Sequence, residues 1–231
     1  MVDRTSRDRL SELMRSYMDD QIDNIQLDET LHEIGSQTED QTVRTAVREL
    51  WFYYDDCKEH FVVASKEQWD FFNRLLLLLA SDAEIAVAAR RRWHPSQSIA
   101  AVSLILFICL AILKGWGRDL IGLAFPFGMV SMVLAWFNRR RRKRAIAADG
   151  AAVSPFPSFS VLRSVRRRVG GFAKIRYPRE IAGRKVRGRI EQALPWIIWI
   201  PVWLIFSPVF LFFQMLPEKQ SDTAVMLPGV G

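Results

Sequence analysis

The sequence predicts an all-α membrane protein with a small cytoplasmic helical domain, a transmembrane helical hairpin and a third, proline-kinked membrane segment. Three observations lead to this class. Three long windows carry no charged side chain, acidic and basic residues lie in different parts of the chain, and six consecutive basic residues directly follow one uncharged window. Apolar windows of this length are typical of membrane spans, and an adjacent basic block marks their cytoplasmic end.

The charges divide the chain into regions of opposite sign. Residues 1–89 contain 19 acidic and 9 basic side chains, whereas residues 139–193 contain 17 basic and 3 acidic ones. This asymmetry is more informative than the net charge of +7. The predicted regions are an acidic cytoplasmic helical domain (1–90), the hairpin (95–138), a basic cytoplasmic loop (139–193), a third transmembrane or re-entrant segment (194–217) and a tail (218–231).

The acidic domain is expected to be a small helical bundle. Its first helix is indicated by a one-sided apolar stripe with steps of three and four residues, formed by Leu10, Leu13, Met14, Tyr17 and Met18. A second helix is expected from Asp28 through Ile34. A third begins at residues 38–41 and carries Val43, Val47, Leu50, Trp51 and Tyr54.

A fourth helix is expected after Ser65, because Ser65 and Gln68 have the spacing of a capping box. The Leu75–Leu79 run inside it is apolar all round and too short to span a membrane. It therefore indicates a buried core segment or a contact surface. Residues 145–158 contain Gly150, Pro155 and Pro157 and indicate a linker.

The hairpin is predicted from two uncharged windows of 19 residues, Pro95–Leu113 and Leu120–Asn138. A helix needs roughly 20 apolar residues to cross a bilayer. Gly115 and Gly117 favour a tight turn between the two windows. The alternative, a pair of buried helices in a soluble protein, is disfavoured because neither window has a polar face.

The third window, Gln192–Pro217, has 26 residues and is long enough to span. Trp196, Trp199 and Trp203 cluster at its start, where tryptophan favours the membrane interface. Pro201 and Pro208 each remove a backbone donor and are expected to kink a helix. Two arrangements stay open: a kinked span, which would put the tail outside, and a re-entrant or interfacial segment.

Basic residues next to the windows set the orientation. Arg90, Arg91 and Arg92 precede the first window, and the run Arg139, Arg140, Arg141, Arg142, Lys143, Arg144 follows the second. The turn between the windows holds only Lys114 and Arg118. The N-terminus and the basic loop are therefore expected in the cytoplasm, with the protein in the plasma (inner) membrane.

The segment YYDDCKEH is the one candidate metal site. On a helix, Cys57 and His60 would lie three residues apart and Asp56 and His60 four apart, so all three would share a face. Thiolate, imidazole and carboxylate groups are zinc ligands, but the sequence offers no complete set of four. The alternative is an ordinary exposed face. Cys57 and Cys109 are too few for a disulfide framework and are expected to be reduced.

Anionic lipid is the expected partner of the basic loop. Arg163, Arg166, Arg167 and Arg168 alternate with apolar residues between 156 and 169, and together with the unbroken run 139–144 they lie beside a predicted membrane span. Each such cation near an anionic leaflet contributes about 1 kcal/mol. Nucleic acid is the weaker candidate, since tethering makes lipid the nearer anion. The acidic domain could instead dock on this loop within the same compartment.

No signature of catalysis, nucleotide binding or cofactor binding occurs, and the apolar windows hold no ionisable group at their centres. We therefore expect a non-catalytic interaction or regulatory protein, without a cofactor, whose acidic domain recruits a cytoplasmic protein partner to the inner face. Two rivals remain. One is a metal-binding sensor or enzyme centred on Cys57 and His60. The other is a membrane-active effector whose spans oligomerise and permeabilise the bilayer. Ala124 and Gly128 form a small-xxx-small pair that would let two helices approach closely, a pattern that often arises by chance.

Overall fold

Helices form most of the regular structure in the computed structural model, which describes residues 2–55, 57–115, 119–148, 153–188, 191 and 199–226. The chain divides into two units. Unit 1 comprises Met1–Ala88, Asp149–Val186 and Asp222–Gly231, and unit 2 comprises Ala89–Ala148 and Arg187–Ser221. The helical class predicted from the sequence is confirmed.

Unit 1 begins with four helices. They are α1 (Arg4–Met18), α2 (Asn24–Gln37), α3 (Gln41–Leu50) and α4 (Lys66–Ala80). The apolar stripe of α1 is buried at Leu10, Met14, Tyr17 and Met18, as predicted. The second helix starts earlier than expected because Asp23 caps it with a capping box to Gln26. The third ends at Leu50, and Trp51–Tyr53 form a short 3-10 turn instead of continuing it.

Helix α4 is the apolar centre of unit 1. It begins with the predicted capping box, in which Ser65 and Gln68 bond to each other's backbone N–H groups. The five leucines from Leu75 to Leu79 are all buried. The interpretation of this run as core is therefore confirmed. Trp69, on the same helix, is completely buried.

A buried ion pair joins three parts of unit 1. The side chains of Arg7 and Asp40 are 0 % and 2 % exposed, and Arg7 Nε donates to Asp40 Oδ2 at 2.6 Å. Arg7 Nη1 donates to the carbonyl oxygens of Ser81 (2.7 Å) and Ala83 (2.9 Å). Asp40 also accepts from the backbone N–H of Thr42 at the start of α3. The pair therefore links α1, α3 and the chain that leaves α4.

Two strands that the sequence analysis did not predict, β1 (Glu84–Arg92) and β2 (Glu218–Met226), pair in a two-stranded sheet. The backbone N–H of Ile85 donates to Thr42 Oγ1 at 3.0 Å, which fixes the start of β1 against α3. Strand β2 lies in the region that the sequence analysis assigned to a tail.

The remaining helices are α5 (Pro95–Lys114), α6 (Asp119–Ala148), α7 (Phe159–Val169) and α8 (Ser207–Met215), with a second 3-10 turn at Arg179–Ile181. Residues 199–205 are also helical and lead into α8. Helix α6 continues through the basic run to Ala148, while Val153 and Phe156 are buried. The prediction of a linker from 145 to 158 is therefore wrong at both ends.

Among the described residues, one helix, α5, has the length and composition of a membrane span. Its 20 residues correspond to about 30 Å of helix. A buried core helix of a soluble protein can have the same composition, so this alone is weak support. However, only 17 % of its apolar window is buried inside the protein.

Replacing Asp40 with Asn is expected to destabilise unit 1 by about 3–5 kcal/mol, because Arg7 would stay buried without its counter-charge. The measurement is urea unfolding of the full chain in detergent, followed by tryptophan fluorescence. Asp8→Asn is the control, since Asp8 follows Arg7 directly in the sequence but its side chain is exposed. Equal stability of Asp40→Asn and the control would contradict the role of the pair.

The same pair makes stability depend on pH. Burial opposes ionisation of Asp40, yet the hydrogen bonds from Arg7 and from the backbone N–H groups of Asp3 and Thr42 leave its pKa below the usual range. A carboxyl group with a lowered pKa stabilises the fold above the unfolded-state value of about 4, and the contribution is lost as the pH falls through the lower, folded value. Wild type should therefore lose stability below about pH 4, and Asp40→Asn should lose less.

Candidate functional site

The predicted metal segment is not helical. Its described residues from Tyr54 to Phe61 form turns and irregular chain. The expectation that Cys57 and His60 share a helix face is therefore wrong. Asp56, the third predicted ligand, lies outside the described residues. In the part of the chain that the structure describes, no three His, Cys, Asp or Glu side chains are grouped to hold a metal ion. The site at Cys57, His60 and Asp56 stays a prediction.

His60 has local partners on both ring nitrogens. Its Nδ1 lies 2.7 Å from the Phe61 carbonyl oxygen, and its Nε2 accepts from the Asp55 backbone N–H at 3.1 Å. A proton on Nδ1 satisfies both contacts. The buried Asn24 completes the arrangement, because its Oδ1 accepts from the His60 N–H and its Nδ2 donates to the Asp55 and Lys58 carbonyls. These contacts hold the segment against the start of α2.

The basic segment 153–186 is built into unit 1. Four of its apolar side chains are buried in the same core as α1 to α4: Val153, Phe156, Val165 and Ile181. Helix α7 packs on α4. The segment is therefore a structural part of the acidic unit, which the sequence analysis raised only as one alternative.

A short stretch of backbone after α7 is held by side chains of α4. Asn73 acts as a paired donor and acceptor: its Oδ1 accepts from the Ile175 N–H at 2.7 Å and its Nδ2 donates to the Ile175 carbonyl at 3.1 Å. Trp69 Nε1 donates to the same carbonyl, also at 3.1 Å. Tyr177 donates its hydroxyl to the Ala64 carbonyl at 2.9 Å. Side chains of α4 therefore satisfy the N–H and carbonyl groups of Ile175, although this residue belongs to no helix or strand.

The contact between segment 153–186 and the rest of unit 1 is stabilised less by ion pairs than by the burial of apolar side chains. Lys174 pairs with Asp70 at 2.6 Å and Arg184 with Asp20 at 2.8 Å, and each of these side chains is 33 % or more exposed. Such exposed pairs contribute about 0–1 kcal/mol each. Burying a side chain such as Phe156 or Val165 contributes about 1.5–3 kcal/mol. The apolar contacts therefore dominate, and the ion pairs favour the correct register.

The arginines of α7 face away from the core. Val165 is completely buried, whereas Arg163, Arg166, Arg167 and Arg168 are exposed. The amphipathic pattern of the segment thus has its apolar side turned to α4. The four arginines, expected as anionic lipid contacts, lie on the surface of unit 1 and that assignment stays a prediction.

The basic run on α6 is helical, and its first members differ in their surroundings. The Arg140 guanidinium lies over the Trp136 ring, 5.2 Å from the ring centroid. Arg139 and Arg141 instead line a cavity that also includes Gln97 and Gln214. The side chains of Arg142, Lys143 and Arg144, the other predicted lipid contacts in this run, lie outside the described residues.

The exterior of unit 2 is apolar. Large apolar side chains more than 35 % exposed are found along all its helices: Ile99, Val102, Ile105, Leu106, Ile108, Ile112 and Leu113 on α5, Phe125, Met129, Val130, Val133, Trp136 and Phe137 on α6, and Val209, Phe212 and Phe213 on α8. Cys109 is exposed on α5 among them. Soluble proteins rarely expose contiguous apolar patches larger than a few hundred Å².

Most of the described polar groups inside unit 2 are hydrogen-bonded, the exception being the buried Gln214 Oε1. Ser131, completely buried, accepts at its hydroxyl from Trp203 Nε1 and at its carbonyl from Gln214 Nε2, both at 3.1 Å. Ser207 Oγ donates to the Ala124 carbonyl at 2.9 Å. Gln97 Nε2 donates to the Leu216 carbonyl at 3.0 Å. These hydrogen bonds therefore join α5 and α6 to residues 203–216.

These contacts show a bent helical segment from residue 199 to Met215. Trp203 reaches Ser131 before the bend, Ser207 reaches Ala124 next to it, and Gln214 reaches Ser131 after it. Helical hydrogen bonds run from Phe206 to Val202 and from Phe210 to Phe206, so the break is confined to Phe206 (φ −89°, ψ 19°). Trp203 and Phe210, seven residues apart, stack with ring centroids 4.1 Å apart and planes at 6°, so both rings lie on one side of the bend. The chain therefore bends near Phe206, between Pro201 and Pro208.

The start of α5, the part of α6 around Asn138 and the end of α8 lie together at one end of unit 2. Ser96 and Gln97 of α5, Asn138 and Arg139 of α6, and the chain from Phe213 to Pro217 line the same cavity. The segment from 199 to 217 therefore ends at the level where α5 begins. Residues 192–198, where the third window opens with Trp196, lie outside the described residues.

Three exposed aromatic side chains mark the surface of unit 1. Trp51, Phe52 and Phe61 are 52 %, 68 % and 53 % exposed, and the Trp51 and Phe52 rings meet edge to face. In the sequence they lie on either side of the segment that Asn24 holds, residues 55–60. The sequence between residues 49 and 61 holds four acidic side chains and one basic one. Exposed aromatics are a frequent component of protein interfaces.

No protein-family model, curated protein or solved structure matches this chain. The function must therefore be inferred from the residues and their arrangement alone.

Sequence reasoning missed three residues that organise the two units, namely Arg7, Asn73 and Gln97. Each had a signal. Arg7 lies on the side of the α1 stripe, three residues before Leu10, and Asn73 lies four residues after Trp69 on the apolar side of α4. Gln97 is the third residue after His94 and has the spacing of a capping residue, and its side chain accepts from the His94 N–H at 2.8 Å. A polar residue on an apolar face indicates a buried hydrogen bond.

Replacing Gly128 with Ala is expected to disrupt unit 2, because a Cβ there would lie 2.9 Å from the Leu204 Cα and 3.1 Å from its carbonyl oxygen. Gly122→Ala is the matched control on the same helix, since no atom lies within 4 Å of its added Cβ. Thermal unfolding in detergent should show a loss of about 1–3 kcal/mol for Gly128→Ala and none for Gly122→Ala. Equal behaviour of the two variants would contradict the close approach of α6 to Leu204.

Proposed function

We propose that the chain is an integral protein of the plasma (inner) membrane whose acidic unit 1 lies in the cytoplasm and recruits a protein partner to the inner face. The observation that carries this proposal is the apolar exterior of unit 2. Its exposed Ile, Val, Leu, Phe and Met side chains need an apolar surrounding, and lipid is the solvent that matches them on all sides.

The polar groups of unit 2 support the same proposal. Ser131, Ser207 and Trp203 all bond within the unit, so that the surface offered to lipid is apolar while the hydrogen bonds are made inside. Lipid cannot supply donors or acceptors, so spanning structures must satisfy such groups internally. Trp93 and Trp136 are exposed near the ends of the apolar helices, as expected of residues at a membrane interface.

We propose a re-entrant course for the third segment. The bend near Phe206 and the contacts of both Trp203 and Gln214 with Ser131 support entry and exit on one side. The basic run of α6 adjoins this end, which makes it the cytoplasmic end under the positive-inside rule. The chain after Pro217 then stays in the cytoplasm together with the N-terminus.

The partner is inferred from the exposed aromatic side chains of unit 1. Trp51, Phe52 and Phe61 supply apolar contact area within an acidic stretch of sequence. A protein segment with apolar anchors among basic side chains has the complementary chemistry. The small-xxx-small pair gives less support to a homo-oligomer, because Gly128 already packs against Leu204 of its own chain.

The two cysteines provide a test of membrane location. Both are exposed on the protein surface, Cys57 on unit 1 and Cys109 on unit 2. In vesicles with their cytoplasmic face outward, a charged maleimide should label Cys109→Ser, which retains Cys57. The same reagent should leave Cys57→Ser unlabelled until detergent exposes Cys109. Labelling of Cys109 in sealed vesicles would show that lipid does not cover α5 and would refute the proposal.

A photo-crosslinking residue placed at position 52 tests the recruitment of a partner. In intact membranes it should give one discrete adduct, because Phe52 is the most exposed of the three aromatics. The adduct should disappear when Trp51 is replaced by Ala. As a control, the same photo-crosslinking residue placed at the exposed position 29 of α2, in place of Glu29, should not form it. Identical adducts from both positions, or none from position 52, would count against the recruiting role.

A further inference from the structure

We propose that unit 2 binds one phosphate-bearing anionic headgroup in the cavity at the end of its helices. This inference rests on the proposed membrane location and deepens it, since it assigns a defined site instead of a general attraction of basic residues to the leaflet. The cavity has a volume of about 370 Å³ and is formed by the start of α5, by α6 around Arg139 and by the end of α8.

The polar lining fits a phosphodiester. It consists of Ser96, Gln97, Asn138, Arg139, Arg141 and Gln214. Two guanidinium groups supply charge-assisted hydrogen bonds to phosphate oxygens. Ser96 and Gln97 belong to the first turn of α5, whose positive dipole end favours an anion as well.

The apolar lining fits the rest of a phospholipid. Phe213, Leu216 and Pro217 form the remaining wall of the cavity. Phe213 and Leu216 are also partly exposed, at 62 % and 43 %. An acyl-linked glycerol can therefore continue from the phosphate along this wall toward the apolar exterior of α8.

The cavity wall is fixed before any ligand binds. Gln97 is 5 % exposed, and its side chain bonds to three backbone groups: the N–H of His94 (2.8 Å) and the carbonyls of Leu216 (3.0 Å) and Arg92 (3.4 Å). These bonds hold the start of α5 against the end of α8. A site that is formed in advance loses less free energy in ordering its residues on binding.

The first three arginines of the basic run have different surroundings. Arg139 and Arg141 line the cavity, whereas the intervening Arg140 lies over the Trp136 ring. A general leaflet attraction would depend on each of the three charges alike. A site would depend on Arg139 and Arg141 and would be nearly indifferent to Arg140.

The test uses the full chain in an uncharged detergent and an acyl-labelled phosphatidylglycerol as the probe, with binding measured by fluorescence anisotropy. Arg139→Gln and Arg141→Gln should each weaken binding by about tenfold or more, as expected for loss of a charged hydrogen-bond donor. Arg140→Gln should weaken it by about fivefold at most, the effect of one nearby charge. Unfolding temperatures of the three variants should agree, which excludes a general folding defect.

Competition separates the sources of the phosphate group. Unlabelled phosphatidylglycerol should displace the probe, and phosphatidylcholine should not. Displacement by millimolar inorganic phosphate alone, with the same dependence on Arg139 and Arg141, would support the site and assign it to a soluble anion. Equal weakening by all three substitutions, or displacement by phosphatidylcholine, would overturn the inference.

The cysteine-labelling experiment on the same variants distinguishes the two proposals. If phosphatidylglycerol binding fails the variant test while Cys109 stays protected in vesicles, the headgroup site is wrong and the membrane location stands. If Cys109 is labelled in sealed vesicles, the membrane location itself is wrong.

Discussion

A polar group that is removed from water costs free energy unless it finds a hydrogen-bond partner inside the chain, and in each unit one residue forms such bonds with several elements at once. In unit 1 that residue is Arg7, which bonds to Asp40 and to two carbonyl groups beyond α4. In unit 2 it is Ser131, which accepts hydrogen bonds from Trp203 and Gln214 on either side of the bend near Phe206. Because an unpartnered buried group costs about 1–3 kcal/mol, each contact selects one arrangement of the helices around it.

The two units expose opposite kinds of side chain. Unit 1 gathers its apolar residues around Trp69 and the leucines of α4, and α7 turns its arginines outward. Unit 2 turns its apolar residues outward and keeps the hydroxyl groups of Ser131 and Ser207 inside. The proposed membrane location and the proposed cytoplasmic recruiting role both follow from this contrast in what each unit exposes.

Local signals in the sequence predicted the helices well, and contacts between distant residues account for what it missed. The capping box of Ser65 and the stripe from Leu10 to Met18 are short-range patterns, and both are confirmed. The docking of Ile175 on Asn73 joins residues 102 apart in the chain, and no local pattern encodes it. The helical face assigned to Cys57 and His60 was wrong because Asn24, more than 30 residues away, holds that segment as irregular chain.

The bend between residue 199 and Met215 has a consequence for how the protein would be inserted. In the proposed re-entrant arrangement the chain on both sides of that bend lies in the cytoplasm, so insertion of this segment carries no hydrophilic chain across the bilayer. The connection between the two proposed spans, Lys114 to Asp119, has six residues. In that arrangement, translocation of this short connection would demand far less of the secretion machinery than export of a folded domain.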